Sequence, residues 1–168
     1  MTFENLKLYL TGIAAMVAPT APPVIEGAEP APTPAPVPQI AETDHAKRGT
    51  DLEVTVPADK VAVASHIMDN AGYVLEAITG VDWLAENQFE VVYDYTLWAS
   101  GQRVAVRARI PRDNPALPTV SAIYPGANWH ERETHDFFGI QFEGHPDLTP
   151  LLLPEDATFH PLRKDFGT

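Results

Sequence analysis

A proline-rich stretch near the start of the chain limits how the two parts beside it can fold. Residues 19–38 read PTAPPVIEGAEPAPTPAPVP and hold eight of the 17 prolines. Because proline lacks a backbone N–H, the stretch cannot continue a helix or a sheet ladder. The composition is typical of a semi-rigid polyproline spacer, with a ligand for an SH3-like groove as the alternative. We therefore expect the fold to be built from the residues on either side.

The segment before this stretch has the pattern of an amphipathic helix. Its apolar residues recur at helical spacing: Phe3, Leu6, Leu10, Ile13 and Val17. We predict a helix over residues 1–18 that docks on this protein or on a neighbour. A signal-peptide core is the alternative, but Glu4 beside Lys7 does not give the basic start that such a signal needs.

Composition excludes several classes of function. The formal net charge of −12 argues against nucleic acid, whose phosphates require clustered Lys and Arg. The absence of cysteine removes disulfides, thiol nucleophiles, Cys-ligated zinc and ordinary iron–sulfur clusters held by this chain alone. We therefore predict no cofactor in this chain, and any redox centre would belong to a partner. No apolar run reaches the roughly 18 residues that a membrane span needs.

The middle of the chain alternates between the periods of strands and helices. Leu52–Val56 reads as a short strand, and Asp59–Ile78 carries a helical stripe of apolar residues. A predicted hairpin then joins Phe89–Trp98 to Val104–Ile110. This order predicts an α+β fold: a small two-layer domain with a mixed or antiparallel sheet, followed by an extended C-terminal docking tail.

One face of the second hairpin strand carries a row of arginines. Arg103, Arg107 and Arg109 share that face by the period of two. The row could line an anion groove, but we favour a solvated sheet face on which Glu90 and Asp94 of the neighbouring strand pair with the arginines.

The sequence NWHERETHDFFGI, residues 128–140, resembles a zinc-binding helix only superficially. His130 and His135 are five residues apart, which places their rings roughly 140° apart around a helix axis, so they cannot grip one ion together. The pattern instead predicts a helix from Trp129 to Phe138, capped by Asn128 and ended by Gly139.

Charged and aromatic residues alternate in this helix. Arg132 with Asp136, and Glu131 with His135, are at the i,i+4 spacing of helical pairs. Charge interleaved with bulky aromatics indicates partial burial against another surface. A hydrolase using these groups is the alternative, but helical spacing scatters them where catalysis needs them to converge.

The rest of the chain is irregular and interrupted by prolines. Three consecutive leucines, Leu151 to Leu153, cannot all be hidden on one face of a small domain, so we predict that the tail lies across another protein. A mobile terminus is the alternative. The predicted segments are a helix at 1–18, a Pro/Ala-rich linker at 19–50, an α+β core at 51–140 and an interface tail at 141–168, the C-terminal tail.

The sequence NWHERETHDFFGIQFEGHPDL, followed by HPLRKDF, carries a family resemblance. It is similar to the signature region of the thirty-kilodalton subunit of proton-pumping NADH–quinone oxidoreductase (complex I). The resemblance implies a small α/β fold that binds no cofactor. It also implies packing against the large subunit that forms the quinone site, or the nickel site in energy-converting [NiFe]-hydrogenases.

The resemblance assigns interface roles, and neither catalytic nor metal-binding ones, to the residues that match its motifs. These are Glu131, Arg132, Glu133, Asp136, His145, Pro146, Asp147, His160, Pro161, Arg163, Lys164, Asp165 and Phe166.

Two departures from the family pattern leave the type of complex open. Many complex I members have arginines after the GHPDL turn, whereas Thr149, Pro150 and the three leucines follow here. The segment LLLPEDATFHPLRKDF is closer to the equivalent domain of formate hydrogenlyase and CO-linked hydrogenases. The proline-rich stretch is also outside the family pattern.

The predicted function is an accessory subunit of a membrane-associated, complex I-like oxidoreductase. Its expected partners are the catalytic large subunit and neighbouring iron–sulfur subunits, on the cytoplasmic face of the membrane, with membrane contact only through the complex. The alternative is a free-standing proline-rich adaptor without an oxidoreductase partner. The sequence leaves the electron donor, the acceptor and the pumped ion open.

Overall fold

The computed structural model describes residues 1–16 and 40–167. Four α-helices and seven strands, with two short 3₁₀ helices, form this part of the chain. The helices are α1 (Phe3–Ala14), α2 (His45–Arg48), α3 (Val61–Asn70) and α4 (Ala127–Phe138). The strands are β1 (Ile40–Glu42), β2 (Leu52–Thr55), β3 (Val74–Trp83), β4 (Gln88–Leu97), β5 (Gln102–Pro111), β6 (Ala116–Pro118) and β7 (Gln141–Glu143).

The main sheet is mixed and has the strand order β1-β2-β5-β4-β3. β2 and β5 pair in parallel, because α3, β3 and β4 lie between them in the chain and return it in the same direction. The remaining pairs are antiparallel, including the predicted hairpin of β4 and β5, which is confirmed. β6 and β7 form a small second sheet. The predicted α+β class with a mixed sheet is confirmed.

The core lies between one face of the sheet and the helices. Alternate residues of the hairpin, such as Tyr93, Tyr95, Val104 and Val106, point inward and are fully buried. Helix α1 begins after Thr2, whose side chain accepts a hydrogen bond from the Asn5 N–H at 3.3 Å.

The apolar stripe of α1 docks on this protein itself. Leu6, Leu10 and Ile13 are buried, and the helix packs against α3 and β2. Val17, the last residue of the predicted stripe, lies outside the described residues. None of the helices in residues 1–16 and 40–167 has both the length and the apolarity that crossing a bilayer requires.

The single helix predicted over Asp59–Ile78 is wrong in its second half. The helix ends at Asn70, and Gly72 adopts a left-handed backbone with φ +84°. The chain then enters β3, which pairs with β4. Apolar residues at Val74 and Ile78 fit a helical period, but hydrogen bonding to β4 decides the outcome.

Part of the predicted linker is ordered structure. Residues 40–50 include β1 and α2, and β1 pairs with β2 at the edge of the main sheet. Residues 19–39, with the proline-rich stretch, lie outside the described residues. The division of the chain into four segments stays a prediction.

Helix α4 has the predicted end and a different beginning. Gly139 ends it with φ +74°, as predicted, and its N–H donates to the His135 carbonyl at 2.7 Å. The predicted cap by Asn128 is wrong, since the helix begins at Ala127 after Gly126 without a side-chain cap. Glu131, three residues after Asn128, does not bond back to the start of the helix, because its carboxylate accepts the Val120 N–H.

The arginine row faces away from the core, and its charges are paired. Arg107 and Arg109 lie 3.3 and 3.5 Å from the carboxylate of Glu90. Arg103 binds Glu76 at 3.0 Å. The predicted pairing with Glu90 is therefore confirmed, and the pairing with Asp94 is replaced by one with Glu76.

Candidate interface

Asp136 fastens the C-terminal tail to helix α4. Its side chain is buried, and Oδ2 accepts hydrogen bonds from three consecutive backbone N–H groups, those of Leu151, Leu152 and Leu153, at 2.9, 2.7 and 3.2 Å. Its backbone carbonyl accepts a further bond from His160 Nδ1 at 2.8 Å. Asp136 therefore positions two separate points of the tail.

Arg132 also binds the tail rather than its predicted helical partner. Its guanidinium donates to the backbone carbonyls of Thr149 and Pro150 at 3.0 and 3.1 Å. It also lies over the Trp129 ring, 5.6 Å from the ring centroid. The predicted pairs of Arg132 with Asp136 and of Glu131 with His135 do not form, because long-range partners take these groups.

The last tail residues bind to the end of α4 and to the sheet. Arg163 Nε donates to the Phe138 carbonyl at 2.8 Å, which satisfies one of the open carbonyls at the helix terminus. The backbone N–H of Lys164 donates to Asp82 at 2.8 Å. Asp165 pairs with Arg112 at 2.8 Å. All three motif residues thus hold the tail against its own domain.

Asp82 and Arg112 form the anchor under this end of the tail, and neither was predicted from the sequence. Their side chains meet at 2.9 Å through two parallel hydrogen bonds, and the Asp82 side chain is only 1% exposed. Had β3 been recognised as a strand, the period of two would have placed Asp82 on the inward face with Ile78. A carboxylate at such a position signals a buried partner.

Opposing effects set the pKa of Asp82. Burial alone acts to raise it, but the hydrogen bonds from Arg112 and from the Lys164 N–H outweigh burial and hold the pKa of Asp82 below its ordinary value. Hydrogen bonds to Asp165 and Asp82 raise the pKa of Arg112, so the guanidinium stays charged. The anchor is therefore an ion pair at neutral pH.

Glu131 and His145 form a second buried pair. The Glu131 carboxylate accepts hydrogen bonds from the Val120 N–H at 2.7 Å and from the Thr119 hydroxyl. His145 Nε2 lies 3.7 Å from Glu131, and both side chains are fully buried. His145 Nδ1 accepts the Asp147 N–H at 3.1 Å, so the atom facing the carboxylate is Nε2, which makes no hydrogen bond of its own within the described part of the chain. The pair joins α4 to the GHPDL turn.

We expect Glu131→Gln to flatten the pH dependence of stability. Burial raises the pKa of Glu131, and hydrogen bonds from Thr119 and Val120 only partly oppose that rise. A carboxyl whose pKa is higher in the folded state favours folding when protonated, so its contribution falls as pH rises through the window between the unfolded and folded pKa.

Urea unfolding of the parent chain and of Glu131→Gln from pH 4 to 7 checks this pH dependence. The variant should gain stability relative to the parent chain as pH rises. Parallel profiles for the two proteins would contradict the assignment.

Gly139 lets the tail approach the end of α4 closely. A Cβ atom there would lie 2.5 Å from His160 Nε2 and 2.6 Å from Arg163 Nη2, and the backbone φ is +74°. We expect Gly139→Ala to destabilise the chain by more than the ~1 kcal/mol typical of a left-handed position alone.

Gly49→Ala is the matched control for this prediction. Gly49 has a nearly equal φ of +75° with no atom within 4 Å of its Cβ position. Thermal unfolding of both variants separates backbone strain from the tail contact, and equal losses would show that the contact adds nothing.

The remaining predicted interface residues lie on the surface or its margin. Glu133, Pro146 and Asp147 are exposed, and Pro161 is half-buried. Phe166 is also exposed, and its ring stacks on Phe159 with the centroids 5.7 Å apart. These residues leave atoms available to another protein.

The tail also exposes four large apolar side chains, the exposed tail hydrophobics. Leu152, Phe159, Leu162 and Phe166 are 59%, 44%, 54% and 50% exposed. The polar anchors described above fix the tail at Leu152 itself and, beside the other three side chains, at His160, Arg163 and Lys164. The motif thus divides into polar groups that position the tail and apolar groups that face outward.

The described residues do not bring metal ligands together. No group of three or more His, Asp or Glu side chains in residues 1–16 and 40–167 has a geometry that could hold a metal ion. The charged residues of α4 bind different partners, including Val120 for Glu131 and the Ile140 carbonyl for His135. They form no convergent acid–base site.

Comparison with known proteins decides the family. The profile of the family described as "Respiratory-chain NADH dehydrogenase, 30 Kd subunit" matches residues 54–168. The chain belongs to this family. The resemblance carried by the ERETHDFFGI and HPLRKDF motifs is therefore confirmed.

Relatives within the 30 Kd subunit family share the sequence over most of the chain. The C subunit of the NADH-quinone oxidoreductase of Roseiflexus castenholzii is 43% identical in an alignment of 120 residues that covers 68% of this chain and 69% of that protein. The C subunit of the NADH-quinone oxidoreductase of Salinispora tropica is 37% identical in an alignment of 122 residues that covers 69% of this chain and 50% of that protein.

Solved structures agree in fold. A chain of the membrane-bound sulfane sulfur reductase, an archaeal respiratory membrane complex, superposes with a TM-score of 0.67 at 36% identity, covering 77% of this chain and 78% of that one. A trypsin-resistant fragment of Nqo5 superposes with a TM-score of 0.54 at 35% identity, covering 65% and 88%. The two-layer domain is thus the fold of the 30 Kd subunit family.

Proposed function

We propose that the chain is an accessory, non-catalytic subunit of a membrane-associated complex I-like oxidoreductase, and that it docks on the catalytic large subunit through its C-terminal tail. The family and the names of its relatives support the type of complex. The observation that carries the docking site is the tail itself, whose polar groups are bound to the domain while four large apolar side chains face outward.

The mechanism is mechanical. Fixing the tail before binding reduces the conformational entropy lost on association, so more of the apolar contact energy contributes to affinity. Large aromatic side chains on such a surface are typical of residues that dominate binding. The docked protein would hold the catalytic large subunit in place, while cofactors and any redox chemistry belong to partner subunits.

The proposal places the chain at the cytoplasmic face of the membrane, next to the catalytic large subunit and iron–sulfur subunits. The relatives named as NADH-quinone oxidoreductase subunits favour a quinone-reducing complex over a hydrogenase. The free adaptor alternative has no support among these relatives.

Tagged purification from membranes in mild detergent tests the proposal. Mass spectrometry of the partners and metal analysis give the readout. Flavin-bearing NADH-module subunits without nickel indicate complex I, and nickel with a hydrogenase large subunit indicates an energy-converting hydrogenase. A chain that purifies alone overturns the proposal.

A double variant locates the docking surface. We expect Phe159→Ser with Phe166→Ser to lower partner recovery at least about tenfold, since truncating a central aromatic contact costs ~2 kcal/mol or more. The domain should stay folded because both rings are exposed. Leu8→Ser is the matched control, since Leu8 is 71% exposed on α1. Unchanged recovery with the double variant would place the docking surface elsewhere.

A further inference from the structure

The main sheet ends on one side in a long edge strand. β3 has ten residues, and among the described residues it pairs only with β4. On its other side, no backbone hydrogen bond joins β3 to any residue of 1–16 or 40–167. The opposite edge strand, β1, has three residues within the described part of the chain. The two edges therefore differ greatly in the row of N–H and C=O groups that they present.

β3 carries few of the features that protect natural edge strands. Such strands are commonly interrupted by proline, lysine or a bulge. The sequence VLEAITGVDW contains neither proline nor lysine, and its one irregularity lies between Leu75 and Ala77. One of its two carboxylates, Asp82, is buried and already bound to Arg112. Residues 78–83 therefore form a regular segment, the β3 edge segment.

The outward side chains of the β3 edge segment suit an added strand. Thr79, Val81 and Trp83 alternate on the face away from the helices, and β-branched and aromatic residues are those that stabilise cross-strand pairs. Trp83 is itself held, since Arg109 stacks on its ring with 4.5 Å to the centroid. Helix α4 covers the other face at Gly80, where Phe138 and Thr134 pack.

We propose that the β3 edge segment binds an extended segment of a partner polypeptide, which adds a sixth strand to the main sheet. An unpaired edge is recognised by backbone hydrogen bonds, so the partner must present an extended chain. The uncharged Thr79, Val81 and Trp83 favour a neutral segment rich in β-branched residues. The partner belongs to the same assembly, so this inference rests on the proposed function.

Hydrogen–deuterium exchange of the full chain, alone and in the purified assembly, tests whether a partner strand is added at the β3 edge segment. Alternate N–H groups of the β3 edge segment point outward and should exchange at least about tenfold more slowly in the assembly. The amides of β4, which are bonded on both sides, serve as the internal reference. Equal exchange of the β3 edge segment in the two samples overturns the inference while leaving the proposed function intact.

Two other results of the exchange experiment would also overturn strand addition by a partner. If the edge amides of the isolated chain exchange more slowly as protein concentration rises, a second copy of the chain occupies the edge. If they exchange slowly at every concentration, the edge needs no outside partner. Both overturn the inference. A chain that purifies without partners overturns it together with the proposed function.

A lysine at the edge gives a second, independent measurement. We expect Thr79→Lys to remove the assembly-dependent slowing, because a charged edge disfavours strand addition. Val74→Lys is the control, since Val74 is exposed on the same strand before the irregularity. Slowing that persists in Thr79→Lys would contradict strand addition at this edge.

Discussion

Arg112→Ala lowers the free energy of unfolding by about 3–5 kcal/mol, the usual cost of removing one partner from a buried ion pair. The variant leaves Asp82 with a nearly inaccessible carboxylate that has lost two hydrogen bonds. It also removes the ion pair between Arg112 and Asp165 of the C-terminal tail. Urea unfolding at neutral pH measures the loss.

The pH dependence of that loss identifies its cause. The pKa of Asp82 is lowered in the folded state, so its pair stabilises the fold above the unfolded pKa of ~4, and this contribution is lost as pH falls toward the lower folded value. The difference between the parent chain and Arg112→Ala should therefore shrink in acid. A difference that stays constant down to pH 3 would contradict the ion-pair explanation.

A double variant separates charge from packing. Arg112→Met with Asp82→Leu removes both charges and should recover much of the stability, because an apolar pair avoids the desolvation cost. The hydrogen bond from the Lys164 N–H to Asp82 is still lost in this variant, so recovery should be incomplete.

Asp136→Ala lowers the free energy of unfolding by about 2–4 kcal/mol, because three backbone N–H groups lose a charged acceptor at once. Water can accept some of the hydrogen bonds that Asp136 no longer accepts, since Leu152 is exposed, and this reduces the loss of stability. The larger effect is local: amides at residues 151–153 should exchange rapidly, and the tail should become accessible to protease.

Two variants control for this result. Asp136→Asn keeps the shape and one acceptor oxygen, so it should lose less stability than alanine. Glu133→Ala changes an exposed carboxylate on the same helix and should change stability by less than about 0.5 kcal/mol. If exchange at residues 151–153 stayed slow in Asp136→Ala, Asp136 would not be the anchor.

Loss of tail anchoring should also reduce assembly. The exposed tail hydrophobics keep their chemistry in Asp136→Ala but lose their fixed positions, so binding would then have to order the tail. Comparing partner recovery in Asp136→Ala with that in Phe159→Ser/Phe166→Ser therefore separates two contributions to binding: the fixed position of the tail and the apolar contacts of its aromatic side chains.

The features predicted correctly from sequence depend on short spacings. The apolar stripe of α1, the β4–β5 hairpin and the end of α4 at Gly139 each follow from residues within a few positions of one another. The signature motif also lies in one continuous region, so the family could be inferred from the sequence. Local chemistry was sufficient for these features.

The errors occurred where a distant partner decides the structure. The residues of β3 have apolar positions that fit either a helix or a strand, and pairing with β4 selects the strand. The charged residues of α4 have oppositely charged neighbours at helical spacing, yet they bind groups that are distant in sequence, such as the Val120 N–H for Glu131 and the His160 ring for Asp136. A hydrogen bond from an otherwise unpaired backbone N–H to a buried carboxylate stabilises the fold more than an exposed ion pair between helical neighbours does.

The sequence by itself determined the α+β class, through its local periodicity, while the family and the signature residues followed from the resemblance of continuous motifs to a known family. Only the tertiary structure decided what those residues do: Asp136, Arg163 and Asp165 bind the domain, while Phe159 and Phe166 face outward. The reason is physical, since Asp82 and Lys164, 82 residues apart, meet only when the sheet and helix α4 are packed together.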